Sequence, residues 1–215
     1  MGNGYKAGEM TIPDRMVDRW ARRADPAPGQ RTLYWLVRMH DDRHVRSLAV
    51  EARERLAAFR GLHMTPLARL HLTTLLAGPA DQFTDEQIRQ MIAIAGQNLS
   101  RVPPVTVSLG KILYYTEAIM LAVAPAVSLA PIRVAAIAAT RSVTGQATAE
   151  ETGWRPHVTL CYSTADQPAR PIIEALGLQL PARETRVASL SLIAQDGPER
   201  EWNWTTLATI RMSAS

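Results

Sequence analysis

The sequence feature that most limits what this chain can fold into is a short pattern that occurs twice. His71 and Thr73 belong to the run LHLTTL at 70–75, and His157 and Thr159 belong to the run PHVTLC at 156–161. Each copy lies among apolar, β-prone residues, so each predicts a strand in which residues two apart share a face. If the two strands face each other across a cleft, two imidazoles and two hydroxyls reach one small polar ligand. That set suits acid and base work on a phosphate.

Each residue of the pattern also has a structural interpretation. A single histidine in an apolar strand is more often a packed residue, and threonine is an ordinary β-branched strand residue. Two copies of one pattern in matching contexts favour a functional role for the pair of histidines. The threonines gain significance only through these histidines.

The composition is that of a globular protein with an ordinary charge balance. Hydrophobic residues make up 47% of the 215 positions, which is enough for a substantial core in one large domain or two small ones. The net charge of +4 favours an anionic partner only mildly. Cys161 is the single cysteine, so an internal disulfide is excluded, and no Cys/His spacing is typical of a zinc site. We expect a reducing compartment, the cytoplasm, and no metal or other cofactor.

The N-terminal 30 residues are predicted to be an extension, with a short helix over 13–23 and a linker at 25–29, ahead of a folded domain over 31–215. The first eight residues lack the apolar core of a signal peptide. The longest apolar stretch, 119–132, contains Pro125 and Pro131. The sequence therefore predicts neither a signal peptide nor a membrane span.

From residue 31 onward, apolar spacing predicts an irregular alternation of strands and helices. Thr84 is a candidate N-cap, and Gly145 and Gly177 are candidate helix ends. Strands are predicted at 32–39, 70–76, 105–109, 112–115, 118–123, 157–162, 187–194 and 202–210, and helices at 43–59, 85–99, 129–144 and 171–176. These elements, with two hairpins among them, indicate an α+β fold with mostly antiparallel sheets.

The order of these elements also indicates an internal duplication. The two motif histidines are 86 positions apart, and each motif strand follows one helix and precedes another. We expect two similar lobes related by a pseudo-two-fold axis, each contributing one histidine strand to a cleft between them.

The two motifs resemble those of the two-histidine phosphoesterase superfamily, which includes the bacterial 2′-5′ RNA ligase and cyclic phosphodiesterase proteins. The family pattern is His-x-Thr-Leu-x-Phe-Leu-Gly in the first half and Pro-His-x-Thr-Leu-Ala-Arg in the second; the chain has HLTTLLAG at 71–78 and PHVTLCY at 156–162. The resemblance covers residues 31–210, including the terminal hairpin, and is strongest to the actinobacterial branch. Two departures stand out: Thr74 replaces a leucine, and Tyr162 replaces the arginine that often follows the second motif.

The resemblance implies a bilobal fold with a central cleft and metal-independent cleavage of 2′,3′-cyclic phosphates on nucleotides or RNA ends, or the related 2′-5′ ligation and its reversal. The chemistry of the residues gives the same roles. Because the ordinary pKa of histidine is about 6.5, one imidazole can take a proton from water or a hydroxyl while the other protonates the leaving ribose oxygen. The threonine hydroxyls would hydrogen-bond the non-bridging oxygens. A monomer without a membrane partner is expected.

Three further residues around the second motif are candidate substrate contacts. Arg155 could reach an RNA phosphate, and Trp154 or Tyr162 could stack on a base. A lid or core role for Trp154 is an equal alternative. Cys161 shares the alternation of the second motif and so could line the cleft floor, although a small buried thiol is the more ordinary interpretation.

Four other residues are expected to lie outside the catalytic machinery. Thr74 falls on the face opposite the first motif and is expected to pack, and His63 lies in a predicted loop, where it is structural or solvated. Trp202 and Trp204 alternate in the last predicted strand and are expected to pack in the core.

Two other classes of function stay open. One is a non-hydrolytic nucleotide- or RNA-binding protein that keeps the cleft, and the other is an enzyme on this scaffold recruited to a different small-molecule reaction. The intact histidines argue against binding alone, whereas the missing arginine leaves room for a change of substrate.

Overall fold

The computed structural model describes residues 12–21, 23–145 and 153–213. Four helices lie within these ranges: α1 (Arg43–Leu56), α2 (Asp85–Leu99), α3 (Ala130–Thr144) and α4 (Arg170–Leu176). The strands there are β1 (Arg15–Met16), β2 (Arg31–Arg38), β3 (Leu62–Met64), β4 (His71–Pro79), β5 (Val105–Tyr114), β6 (Ala118–Ala124), β7 (His157–Ser163), β8 (Gln167–Pro168), β9 (Gln179–Val187), β10 (Ser189–Asp196) and β11 (Trp204–Arg211).

Two antiparallel sheets organise the chain. The first has the order β11-β10-β2-β4 and the second the order β3-β7-β6-β5-β9, while β1 and β8 form a short separate ribbon. Each sheet contains one motif strand, β4 in the first and β7 in the second, and these two strands contact each other. The predicted α+β class with antiparallel sheets is therefore confirmed.

The helices cover the sheets in pairs. Helices α2 and α3 pack on each other and against the first sheet, where Trp35 Nε1 of β2 donates a hydrogen bond to Thr140 Oγ1 of α3 at 3.0 Å. Helix α1 follows a strand of the first sheet but packs with α4 and β9 of the second. Helix α1 thus links the first half of the chain to the second sheet, and one continuous hydrophobic core runs through both sheets.

The ends of the helices follow the predicted chemistry. Thr84 caps α2 in a capping box with Gln87, and Gly145 ends α3 in the left-handed conformation with φ 64°. The segment Ala126–Thr144, with mean hydropathy 1.3, is long and apolar enough to cross a membrane by length and composition alone. Core helices share that property, and α3 packs against α2 and β4.

The predicted helix over 13–23 is wrong. Arg15 and Met16 pair with β8 instead, and the next backbone amides donate to the main body of the protein, Val17 N to Thr116 O at 2.8 Å and Arg19 N to Ser163 O at 3.0 Å. Carbonyl oxygens in the turn between β5 and β6 and at the end of β7 thus accept the hydrogen bonds of amides that a helix would have satisfied internally. This N-terminal segment, residues 12–21, is docked on the second sheet.

The second sheet also departs from prediction in β5 and β9. The two strands predicted at 105–109 and 112–115 form one strand, with an irregularity at Gly110, where φ is 150° and the backbone of Ala182 approaches closely. Strand β9 was not predicted, because six of its nine side chains are exposed and its apolar residues do not alternate regularly. The last hairpin is formed by β10 and β11, within a few residues of the predicted bounds.

Candidate active site

The two motif strands hold their histidines in the same way. His71 Nδ1 lies 2.7 Å from the carbonyl oxygen of Arg69, and His157 Nδ1 lies 2.7 Å from that of Arg155, in each case two residues earlier. A carbonyl oxygen only accepts hydrogen bonds, so each Nδ1 carries the proton and donates it. The Nε2 atom of each imidazole is therefore the one available for proton transfer.

Both strands contain a β-bulge directly after the motif threonine. Thr74 in β4 and Leu160 in β7 have no register partner in the neighbouring strands β2 and β6. Because an extra residue reverses the alternation of faces, Cys161 turns into the core and Tyr162 turns towards the cleft.

The positions of Cys161 and Thr74 at these bulges test two predictions made from the sequence. The interpretation of Cys161 as a small buried thiol is confirmed and its alternative place on the cleft floor is not, since the thiol is fully buried and burial raises its pKa to about 12. The packing role of Thr74 is confirmed: its buried hydroxyl donates to the Trp35 carbonyl oxygen at 2.9 Å.

The two imidazoles lie in one electrostatic environment. Burial lowers the pKa of both His71 and His157, and their carbonyl hydrogen bonds and the nearby carboxylate of Glu199 oppose that shift. The charge of His157 lowers the pKa of His71 further, and that of Arg19 lowers the pKa of His157. The carboxylate of Glu199 thus acts electrostatically on both imidazoles, and it lines the same pocket as His71.

The first motif opens into a small pocket. His71 and Thr73 form one side of it, and Thr159 is buried behind, where its hydroxyl hydrogen-bonds Tyr162. The remaining lining residues come from β2, β10 and the last hairpin: Tyr34, Leu36, Ile193, Gln195, Glu199, Trp202 and Trp204.

An aromatic wall borders this pocket. The ring of Trp204 meets His71 edge-on, with 5.0 Å between centroids, and Trp202 stacks on Tyr162 at 5.7 Å. Trp202 is buried in a small hydrophobic cluster and Trp204 packs against that cluster, so the expected packing role is confirmed, and both tryptophans also line the pocket. His63 stacks on Trp202 from strand β3, which confirms a structural role but places it in a strand rather than a loop.

The three candidate substrate contacts take different positions. Tyr162 is 5% exposed, and both Trp202 and the guanidinium of Arg19, 4.2 Å from the ring centroid, cover its ring. A ring so covered has no open face for a base, so stacking on Tyr162 is not supported. Trp154 is half-buried and donates from Nε1 to the Thr73 carbonyl oxygen at 3.3 Å, which ties the two motifs together. Arg155 is half-buried, and its carbonyl oxygen orients His157.

Two charged residues of the site were missed by sequence reasoning. Arg19 lies in the segment predicted to be an extension, and Glu199 begins a 3-10 turn, Glu199–Glu201, between β10 and β11. They are 180 positions apart, and neither belongs to a periodic pattern or a motif. Among residues 12–21, 23–145 and 153–213, no group of three or more His, Cys, Asp or Glu side chains is placed to hold a metal ion.

Two antiparallel sheets in contact through β4 and β7, each with one His-x-Thr strand, match the arrangement of the two-histidine phosphoesterase superfamily. Residues 41–199 match the family model of the 2′-5′ RNA ligase superfamily, and the chain belongs to that superfamily.

Solved structures share the fold at low sequence identity. The protein TT0787 of Thermus thermophilus aligns with a TM-score of 0.65 and 18% identity, covering 84% of this chain and 97% of the other. E. coli LigT aligns with a TM-score of 0.63 in its apo form and in its complex with 3′-AMP, at 15% and 16% identity, covering 86% of this chain and 99% of LigT. A comparison with curated protein sequences gave no significant match.

Proposed function

We propose that the protein is a metal-independent phosphodiesterase that opens RNA-type 2′,3′-cyclic phosphates or cleaves 2′-5′ phosphodiesters, with 2′-5′ ligation as the reverse reaction. The observation that carries the proposal is the matched presentation of His71 and His157. In both, Nδ1 is engaged by a backbone carbonyl and Nε2 is left for the substrate. Two imidazoles near one carboxylate can exist as one neutral base and one protonated acid.

Opening a cyclic phosphate uses both protonation states in one step. The neutral imidazole takes a proton from water as the water oxygen bonds to phosphorus, and the protonated imidazole donates its proton to the leaving ribose oxygen as the P–O bond breaks. His71 and His157 exchange these roles in the reverse direction. The hydroxyl of Thr73, on the pocket wall, would hydrogen-bond a non-bridging oxygen as charge redistributes.

The expected partners are RNA ends or nucleotide cyclic phosphates. LigT, which shares the fold, has been solved with 3′-AMP, and the aromatic and polar lining of the pocket is suited to a nucleotide. We further propose that the protein acts as a cytoplasmic monomer without a membrane partner.

A substrate screen tests this proposal. Purified protein is incubated with the four nucleoside 2′,3′-cyclic phosphates and a 2′-5′ dinucleotide, each with and without excess chelator. We expect turnover that survives the chelator. The variant His40→Ala, which removes a histidine that contacts Arg38 and Asp41 instead of the pocket, is the control and should match the wild type.

Two results would overturn the proposal. Complete loss of activity in chelator, with recovery on adding one divalent metal, would reject the metal-independent mechanism. Saturable nucleotide binding without turnover of any of these compounds would favour the binding protein instead.

A further inference from the structure

Glu199 is a carboxylate held at both oxygens. Its Oε2 accepts hydrogen bonds from Arg19 Nη2 at 2.8 Å and from Arg19 Nε at 3.2 Å, and its Oε1 accepts one from the Tyr162 hydroxyl. The Tyr162 oxygen is in turn hydrogen-bonded to Thr159 of the second motif. A side chain with these contacts has one orientation, so its charge is fixed relative to the motif strands.

The N-terminal segment places Arg19 in this arrangement. Its backbone is bonded to the end of β7 through Ser163, and its guanidinium also donates to Glu117 at 3.2 Å. The Arg19 side chain is 15% exposed and lies over the ring of Tyr162. Arg19 lies outside residues 41–199, the part of the chain that matches the family model.

Glu199 remains ionised despite its surroundings. Burial opposes ionisation, but Arg19 and the Tyr162 hydroxyl outweigh burial and lower the pKa of the carboxyl. The same carboxylate raises the pKa of His71 and of His157, both of which burial lowers. Burial still leaves the pKa of both imidazoles below the ordinary value, and without Glu199 both would favour the neutral form more strongly. A pair of neutral imidazoles has no proton to give to a leaving oxygen.

We infer that Glu199 is a positioning residue for the acid-base pair: a carboxylate fixed by Arg19 and Tyr162 on the wall of the pocket that His71 lines, where it favours the protonated form of a motif imidazole. The inference rests on the proposed function for its catalytic meaning. It also gives the N-terminal segment a place in the active site, because that segment supplies the arginine that holds the carboxylate.

The other charged and titratable groups around the pair do not supply this proton. Arg19 lowers the pKa of His157, and His157 lowers that of His71. Tyr34 and Tyr162 stay protonated, because burial raises the pKa of both phenols. Besides the backbone carbonyl that each Nδ1 contacts, Glu199 is thus the charged group that opposes the effect of burial on both imidazoles.

The test replaces Glu199 by its neutral isostere. Glu199→Gln keeps the shape of the side chain and removes the charge, and Glu201→Gln, an exposed position in the same turn, removes the same charge away from the histidines. The titration of the two motif imidazoles is followed by NMR in each variant. We expect both titrations to move to lower pH in Glu199→Gln and to stay at their wild-type positions in Glu201→Gln.

The pH-rate profile gives a second readout. The limbs of the profile should move to lower pH in Glu199→Gln. If they move by about one pH unit, the ratio of the wild-type rate to the variant rate becomes about tenfold larger at pH 8 than at the pH optimum of the variant. A lower rate with unmoved limbs, or unmoved or raised imidazole titrations, would overturn the inference. A purely structural role for Glu199 would lower the rate without moving the limbs of the profile.

A second variant covers the case in which Glu199→Gln does not fold. Tyr162→Phe removes one of the hydrogen bonds that fix the carboxylate and leaves its charge, so a smaller shift of the imidazole titrations to lower pH is expected; no shift would contradict the inference. The NMR titration needs no turnover. Absence of phosphodiesterase activity would therefore reject the proposed function, while the titrations decide separately whether Glu199 controls the protonation of the histidines.

Discussion

Truncating Met16 tests whether the N-terminal segment is part of the folded domain. Met16 belongs to β1 of the short ribbon, and its side chain is fully buried in the main core. Met16→Ala removes roughly three methylene equivalents, which at about 0.8 kcal/mol each lowers the free energy of unfolding by about 2.4 kcal/mol. The cavity that remains adds to this, so a total loss of about 2–4 kcal/mol is expected.

Urea denaturation measures the loss, and hydrogen exchange locates it. The amides of Val17 and Arg19, which donate to Thr116 and Ser163, should exchange faster in Met16→Ala. Ile12→Ala is the matched control, because Ile12 lies in the same segment but is 46% exposed, and it should change the unfolding free energy by less than about 0.5 kcal/mol. The docking of the segment would be refuted if both variants had the same stability and the same exchange at Val17 and Arg19.

The remaining predictions concern the site. Thr73→Ala should cost about 1–3 kcal/mol of transition-state stabilisation, measured as kcat/KM on a cyclic phosphate, and unchanged kinetics would remove the hydroxyl from the mechanism. Because burial lowers the pKa of His71 and His157 below the ordinary 6.5, the stability that their neutral forms contribute is present above that pH and is lost as the pH falls through the folded-state values. The unfolding free energy should therefore fall between about pH 7 and pH 5, and less steeply when both histidines are replaced by asparagine; equal slopes would contradict the account.

The parts of the fold that the sequence predicted are those with a local signal. The motif strands stand in apolar runs, α2 begins at a capping threonine, and α3 ends at a glycine whose φ of 64° suits the left-handed conformation. Each of these signals lies within a few residues of the element that it specifies.

The parts that escaped prediction depend on contacts between distant residues. The bulge at Leu160 inserts one residue relative to β6, and this reverses the faces of Cys161 and Tyr162 without any glycine or proline to mark it. Arg19 and Glu199 meet only because the N-terminal segment docks on the end of β7. No periodicity or motif links two positions so far apart in the chain.

The sequence predicted the histidines of the site but not its carboxylate. The repeated His-x-Thr pattern located the imidazoles, because a strand places its first and third residues on one face. The carboxylate that governs their protonation lies in a turn rich in charged residues, and from sequence alone Glu199 looks no different from Glu201. Only burial and hydrogen bonding distinguish the two.

The central claim is that His71 and His157 act as one acid-base unit, and turnover of a nucleoside 2′,3′-cyclic phosphate by the single and double alanine variants tests it most directly. Each single variant should lose on the order of 10²–10⁴ in kcat, the usual contribution of positioned proton transfer. The double variant should fall little further, because either loss already disables the pair. Near-wild-type turnover by both single variants, or a double loss equal to the product of the two single losses, would contradict the account.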